Sequence, residues 1–379
     1  MSEEDVLLNT NTISENKTNN IRRNVVIALL GIFAVSVALL AVVAYTGNLG
    51  PEGHKNIKND QCFSDDLTPG NLGPCSVVSG YVFSNDSKPI YYTMVSPPNG
   101  KVAKDVNGDP LAPLVLIPGF PYRNTEWFCQ IKKFCLTQVV VAYDARGHGS
   151  STKFGPFTMA QHAEDAAAII NTLNLDQATV VGHSLGGGIA TSLALYHPDL
   201  LDKLVLVDTT AKVINLDGWT SGIDPATINA LASLLPNTTN FFNAFLSASF
   251  IQVANCPADP LQGFIDASRD SAISAGMNAS VIGGIFGDAI ATWDFRANLA
   301  SITSRTLIIH GHYDNIFPFS AALYARANIP DSYLVEISSV GHVTPLLNWP
   351  EVNRAICRFV SGADTLCTYC SVPPTYLSY

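Results

Sequence analysis

The stretch VVGHSLGGGIA, residues 180–190, surrounds one serine with four glycines. Two chemistries use such a turn. As Gly182-His183-Ser184-Leu185-Gly186 it matches G-x-S-x-G, where a sharp strand-to-helix turn presents a serine hydroxyl as a nucleophile. Gly182, Gly186 and Gly188 also spell G-x-x-x-G-x-G, a cradle for the phosphates of a dinucleotide. A serine hydroxyl attacks a carbonyl only when a neighbouring base takes its proton. That base needs a carboxylate to fix its tautomer and to stabilise the imidazolium it becomes. The run LIIHGHYDNIFP supplies Asp314, and SSVGHVTPLLNWPE supplies His342. The chain order of serine, aspartate and histidine is the one that elbow serines keep with their partners. The chemistry is acyl transfer, with water releasing the acyl group and with no metal or organic cofactor required.

An oxyanion needs two backbone N–H groups aimed at the developing negative charge. Leu185 follows the nucleophile at a helix N-terminus and supplies one. Phe120, in the loop LVLIPGFPYRNTEW, is expected to supply the other, with Gly119 allowing a sharp backbone turn. The dinucleotide reading has a point in its favour. Asp208 ends the next strand pattern, where an acidic residue would hold a ribose. It fails on two others. Several strand patterns precede the turn, and no tyrosine has a lysine four residues on. Asp208 then reads as a strand-end loop residue.

The elements that must position these groups are legible. YVFS and PIYYTMV form a hairpin around Asn85-Asp86. LVLIP (114–118), QVVVAYD (138–144), TVVGH (179–183), KLVLVD (203–208), RTLIIHG (305–311) and SYLVEI are short apolar runs rich in β-branched residues. Such runs suit parallel strands buried on both faces. Residues 158–173 and 185–196 read as helices between them, the second stopped before Pro198. The alternation predicts an α/β fold with a mostly parallel, doubly wound sheet. It breaks once, between Thr210 and Leu299, where helical pieces rich in Phe, Leu and Ala stand in place of strands. An insertion at a strand's carboxyl end sits over the ligand-binding edge of such sheets and reads as a cap. The expected division is a core of residues 77–210 and 300–362 and a helical cap of 211–299.

The N-terminal part is different. Residues 1–23 are polar and read as a disordered tail on the cytoplasmic side. Residues 25–45 carry no charge, and about 21 residues at ~1.5 Å each match a bilayer's hydrocarbon core. Arg22 and Arg23 precede the run, and no basic residue follows until Lys55. The positive-inside rule makes 24–46 a signal anchor in a lipid bilayer, with everything after it lumenal or extracellular. The rival is a signal peptide cleaved near AVVA at 41–44, although the run exceeds a typical signal core. Residues 47–76 read as a stalk clamped by Cys62 and Cys75, and 363–379 as a tail bridged by Cys367 and Cys370. All eight cysteines follow the apolar run, as expected of disulfides in an oxidising compartment. Asn85, Asn237 and Asn278 head glycosylation triplets on that side, and Asn16 heads one on the other. Hydrophobic content of 47% supports a large core. A net charge of −10 with no Lys/Arg cluster argues against nucleic acid.

Taken together, residues from about Tyr81 to Phe359 resemble the α/β-hydrolase superfamily, in its serine-nucleophile, capped, esterase- and lipase-like branch. The resemblance rests on the triad order and on YDARGHGSS (143–151), GHYDNIFP and VGHVTPLLNWPE. It departs at Pro118, where many relatives carry histidine before the oxyanion glycine, so a hydrogen bond behind that loop is expected to be missing. The GFP run and the cap are also similar to epoxide hydrolases and dehalogenases, which attack with an aspartate where this chain has Ser184. The resemblance implies a serine hydrolase acting on a small hydrophobic, lipid-like ester. Lactones, carbon–carbon bonds, prolyl amides and perhydrolysis are the alternatives within the fold. A catalytically silent receptor domain is the alternative outside enzymology. Trp127, Phe317 and Val343 are expected to line the substrate pocket. His148 and His183 read as packing or loop residues. His310 and His312 stand near Asp314 but outside the expected order. Asp144 and Arg146 are expected to tie down the loop after their strand.

Overall fold

The computed structural model describes residues 64, 66–175, 177–250, 258–362 and 375–376. The polar tail 1–23, the apolar run 25–45, most of the stalk, and Cys62, Cys256, Cys367 and Cys370 lie outside the described residues. Among the described residues, no helix is long and apolar enough to cross a membrane.

The strands are β1 (Ser76–Phe83), β2 (Pro89–Ser96), β3 (Leu114–Ile117), β4 (Val140–Tyr143), β5 (Ala178–His183), β6 (Leu201–Val207), β7 (Arg305–Gly311), β8 (Ser332–Ile337) and β9 (Thr375–Tyr376). They form one sheet in the order β1-β2-β4-β3-β5-β6-β7-β8-β9. β1 and β2 are the expected antiparallel hairpin, β2 pairs antiparallel with β4, and β3 to β8 run parallel. The alternation of side chains decides the two cores. Val115, Ile117, Val141 and Val180 join one apolar cluster, while Leu114, Leu116, Val140 and Val181 join the other. Both faces are buried, so the strands read as continuous apolar runs.

Helix α1 (Phe128–Phe134) covers one face of the sheet. Helices α2 (Met159–Thr172) and α3 (Leu185–Tyr196) cover the other. Thr158 caps α2 by accepting from the Gln161 N–H at 3.2 Å, worth about 1 kcal/mol. α3 is buried from Leu185 through Ala194. Its three consecutive glycines each cost about 1 kcal/mol of helix propensity, so packing rather than propensity holds it.

Four helices follow β6: α4 (Pro225–Ser233), α5 (Thr238–Phe250), α6 (Ala258–Ser274) and α7 (Ala279–Gly284). They occupy the region where the strand rhythm breaks. α8 (Ser320–Asn328), α9 (Thr344–Leu347) and α10 (Trp349–Ser361) complete the helices, and Gly362 ends α10 in the left-handed conformation at φ 68°.

The expected Cys62–Cys75 clamp is corrected: Cys75 is bonded to Cys135, with the two Cα atoms 6.1 Å apart. The physical reason is packing. Leu72 and Cys75 are buried with Phe134 and Cys135, so this end of the expected stalk is part of the core. Cys129 and Cys357 are also disulfide-bonded.

The order of the sheet matters for the site. β3 sits between β4 and β5, so the chain leaves it in one direction and returns on its other side. A crevice at such a switch point is where open α/β sheets bind ligands. Ile117 pairs with Gly182 in register, which sets the loop after β3 beside the turn after β5.

Candidate active site

Ser184 stands between β5 and α3 with φ 52° and ψ −115°, a backbone conformation that L side chains rarely adopt. The glycines around it are there for close approach. A Cβ on Gly182 would lie 2.1 Å from the Gly186 carbonyl oxygen, and one on Gly186 would lie 2.2 Å from the Ile117 oxygen. The turn is held by the Ser184 N–H, which donates to the Val207 carbonyl at 2.9 Å, and by Thr209 Oγ1, which donates to the Ser184 carbonyl at 2.9 Å.

The three residues read as a triad come together. Ser184 Oγ is 2.9 Å from His342 Nε2, and His342 Nδ1 is 2.9 Å from Asp314 Oδ2. The other carboxylate oxygen, Oδ1, accepts from the Ile316 and Phe317 N–H groups at 2.8 and 2.9 Å. Burial pushes the Asp314 pKa up, but the His342 charge and hydrogen bonds from His310 and His342 outweigh it and hold Asp314 ionised. His342 Nδ1–H is thereby fixed toward the carboxylate, which leaves Nε2 to accept the serine proton.

Phe120 and Leu185 border the same cavity as Ser184. Among the described residues neither amide N–H donates to a backbone carbonyl. About 410 Å³ of space, part of it open to solvent, lies between the walls of this cavity. Apart from Ser184, every side chain lining it is aliphatic or aromatic, including Val213, Leu231, Phe245, Phe286, Trp293 and Phe317. Of the expected pocket residues, Phe317 is in place, with its ring 5.4 Å from that of His342. Trp127 and Val343 are not. Trp127 ends a short 3-10 turn (Asn124–Trp127) and packs into the core on the α1 face of the sheet. Val343 is fully buried beside His342 and does not line the cavity.

Three features were missed by sequence reading. Asp208, read as a loop residue, is buried and grips both catalytic loops. Its Oδ1 accepts from the Gly311 N–H at 2.9 Å, and its Oδ2 accepts from the Thr344 N–H and hydroxyl at 3.0 and 2.7 Å. Glu126 accepts from the Gly119 N–H at 2.7 Å, so the loop with Pro118 in place of histidine is held after all. Gly119 is needed for close approach rather than for a sharp turn: a Cβ there would lie 2.6 Å from His183 Nδ1. His183 is the third feature. It is bonded to Glu126 and to the His342 carbonyl, at 2.6 and 2.8 Å.

The remaining polar residues serve the loop after β4. Arg146 is fully buried and forks onto Asp86 and Asp165. Asp144 accepts from the Asn124 and Ser150 N–H groups. His148 is also buried, and burial takes its pKa down to about 3, so it stays neutral. His312 pairs with Glu336 at 2.6 Å, away from the triad. Asp208, His310 and Asp314 bring their ligand-type atoms within 4.8 Å of one another. Those atoms are engaged by Gly311, Thr344, Phe317 and His342, so the cluster serves the triad's acid.

Comparison with known proteins places the fold. The family model described as alpha/beta hydrolase fold matches residues 112–348. A 3-oxoadipate enol-lactonase from Acinetobacter baylyi is 29% identical over 63% of this chain and 86% of its own. A bifunctional esterase/perhydrolase from Acinetobacter calcoaceticus is 26% identical over 74% of this chain and 99% of its own. Among solved structures, an esterase from Exiguobacterium antarcticum superposes with a TM-score of 0.65 at 22% identity, over 75% of this chain and 99% of that one. The matched region carries β3 through α9, with Ser184, Asp314 and His342 inside it, and the chain belongs to the alpha/beta hydrolase fold family.

Proposed function

We propose that this chain hydrolyses neutral, hydrophobic carboxylic esters through an acyl-serine intermediate. The observation that carries the reading is the hydrogen-bonded chain from Ser184 Oγ through His342 to Asp314, which opens onto an apolar cavity. His342 Nε2 takes the Ser184 proton as Oγ attacks the carbonyl carbon. Asp314 stabilises the imidazolium, and the Phe120 and Leu185 N–H groups receive the oxyanion. His342 then protonates the leaving alcohol, and water repeats the sequence on the acyl-enzyme.

The lining of the cavity supports the substrate class. It offers no cationic group to a substrate carboxylate, and an unpaired buried charge is costly. A lactone presents the same carbonyl in a ring, and the enol-lactonase relative makes lactones the second class to assay. We place the catalytic domain outside the cytoplasm, tethered by residues 25–45. The disulfides at Cys75, Cys129, Cys135 and Cys357 support an oxidising compartment, and Asn85, Asn237 and Asn278 are exposed for glycosylation. Alkaline carbonate extraction and peptide-N-glycosidase digestion test that placement. Release from membranes with no mobility shift would contradict it.

The activity test is a panel of p-nitrophenyl esters of graded chain length, lactones and prolyl amides, run with the protein and with Ser184→Ala. Uncharged esters are expected to turn over, and Ser184→Ala is expected to fall by on the order of 10⁵-fold or more. Full activity in a folded Ser184→Ala variant would sink the assignment. Failure to react with a serine-directed fluorophosphonate would favour a silent receptor domain instead.

A further inference from the structure

We infer that the buried Glu126–His183 pair is a positioning strut that fixes the oxyanion loop to the backbone of His342. The inference rests on the triad reading above and names residues that act through it. Glu126 sits on the 3-10 turn after β3, and His183 ends β5 immediately before Ser184. Both side chains are fully buried, and their nearest atoms are 2.6 Å apart. One carboxylate oxygen of Glu126 accepts from His183 Nδ1, and the other accepts from the Gly119 N–H, next to the donor Phe120. On the far side of the ring, His183 Nε2 donates to the His342 carbonyl at 2.8 Å. One unbroken path therefore runs from the oxyanion loop through the carboxylate and imidazole to the catalytic histidine's own peptide.

The protonation follows from the partners. Both ring nitrogens of His183 face oxygens, and a neutral imidazole has only one N–H to give. Burial pulls the His183 pKa down, but the Glu126 charge and hydrogen bond, with help from Asp208, raise it to about 9. The titratable groups around the ring are few. Asp208 Oδ2 lies 3.7 Å from His183 Nε2, the His342 ring is 5.3 Å away, and the Tyr122 ring is 6.4 Å away. Tyr122 and Arg123 border the same small cleft as Glu126.

Stability alone is a poor reason for the pair. A buried ion pair often adds little over an apolar pair of the same volume. What it adds here is direction: three hydrogen bonds with fixed donors and acceptors set the distance between the oxyanion donors and the base. Neither residue lines the substrate cavity, so the pair acts on the reaction through geometry. A misplacement of about 1 Å in such a frame can cost a factor of about 100 in rate.

The test uses the full-length protein, Glu126→Gln and His183→Gln, with an ester that the wild type turns over. Both variants are expected to lose about 10- to 100-fold in kcat, with KM changed less than about threefold. In the wild type, kcat is expected to fall at alkaline pH with a midpoint near 9, where the pair loses its proton, and this limb should be absent in His183→Gln. A purely structural role would lower the melting temperature without removing that limb. Folded variants with wild-type kcat would overturn the strut. So would an alkaline limb that persists in His183→Gln. Where a Gln variant fails to fold, the shorter carboxylate of Glu126→Asp serves in its place, and a folded Glu126→Asp with wild-type kcat overturns the strut. Turnover that survives Ser184→Ala overturns the triad reading instead, which keeps the two failures apart.

Discussion

Two surfaces meet at Ser184, and they are built from opposite chemistry. Beneath it, the carboxyl ends of β5 to β8 are polar and interlocked through Asp208, His183, Asp314 and His342. Above it, the segment after β6 presents aromatic rings. Phe120 packs against Phe241, Phe242, Phe245 and Phe286, with ring centroids 5.2–6.2 Å apart. The polar side is directional, because each hydrogen bond fixes one donor and one acceptor. The aromatic side is mostly non-directional and is set by volume and area. On the proposed function, the reaction belongs to the sheet ends and the choice of substrate to the aromatic side. In the proposed reaction Phe120 belongs to both: its N–H is assigned to the oxyanion, and its ring packs against those of Phe241, Phe242, Phe245 and Phe286.

Breaking the polar side should remove turnover. His342→Ala is expected to lower kcat by on the order of 10⁵-fold. Asp314→Asn should lower it by about 10⁴-fold, because the amide lets His342 take the wrong tautomer. Steady-state kinetics on a soluble ester measures both. Altering the aromatic side should move KM. Phe245→Ala is expected to raise KM for long-chain esters by about tenfold, the value of roughly half a buried aromatic side chain. The kcat for an acetate ester should stay within about threefold of the wild type. A large kcat loss for acetate in Phe245→Ala would blur the division.

Charge sharpens the comparison further. Asp314 binds its proton more weakly folded than unfolded, so its contribution to stability is full above about pH 4. That contribution is lost as pH falls below this value. Urea midpoints for the wild type should therefore drop in acid, with a smaller drop for Asp314→Asn. His183 has the opposite sign. Its raised pKa gives stability that is full below about pH 6.5 and is lost as pH rises through about 9. The smallest effect belongs far from the site. Arg269 on α6 pairs with Asp266 and Asp270 and donates to Asn243 on α5, and Arg269→Ala should change stability by about 1 kcal/mol and leave kcat alone.

How much of this was legible follows from where the information lies. Ser184, Asp314 and His342 each stand in a short run whose glycines and neighbours announce a strand-end loop, so local sequence located them. The strands were legible for a similar reason, since burial on both faces forces continuous apolar runs. Glu126 and His183 stand 57 residues apart, and only the pairing of β3 with β5 joins them. Asp208 looks like any acidic residue at a strand end until β7 and α9 arrive beside it. The Cys75–Cys135 bond depends on how the start of β1 meets α1, which spacing does not encode. Trp127 and Val343 were misplaced because closeness in the chain to catalytic loops does not set a side chain's direction. Trp127 turns to the opposite face of the sheet, and Val343 is buried outside the cavity lining.

We propose Ser184 as a nucleophile activated by His342 and Asp314. The most direct test is fluorophosphonate labelling of the folded protein, followed by peptide mapping by mass spectrometry. One phosphonylated residue, Ser184, is expected, with labelling slowed at least about 10³-fold in His342→Ala. A label on any other serine, or equal labelling of the wild type and His342→Ala, would contradict it.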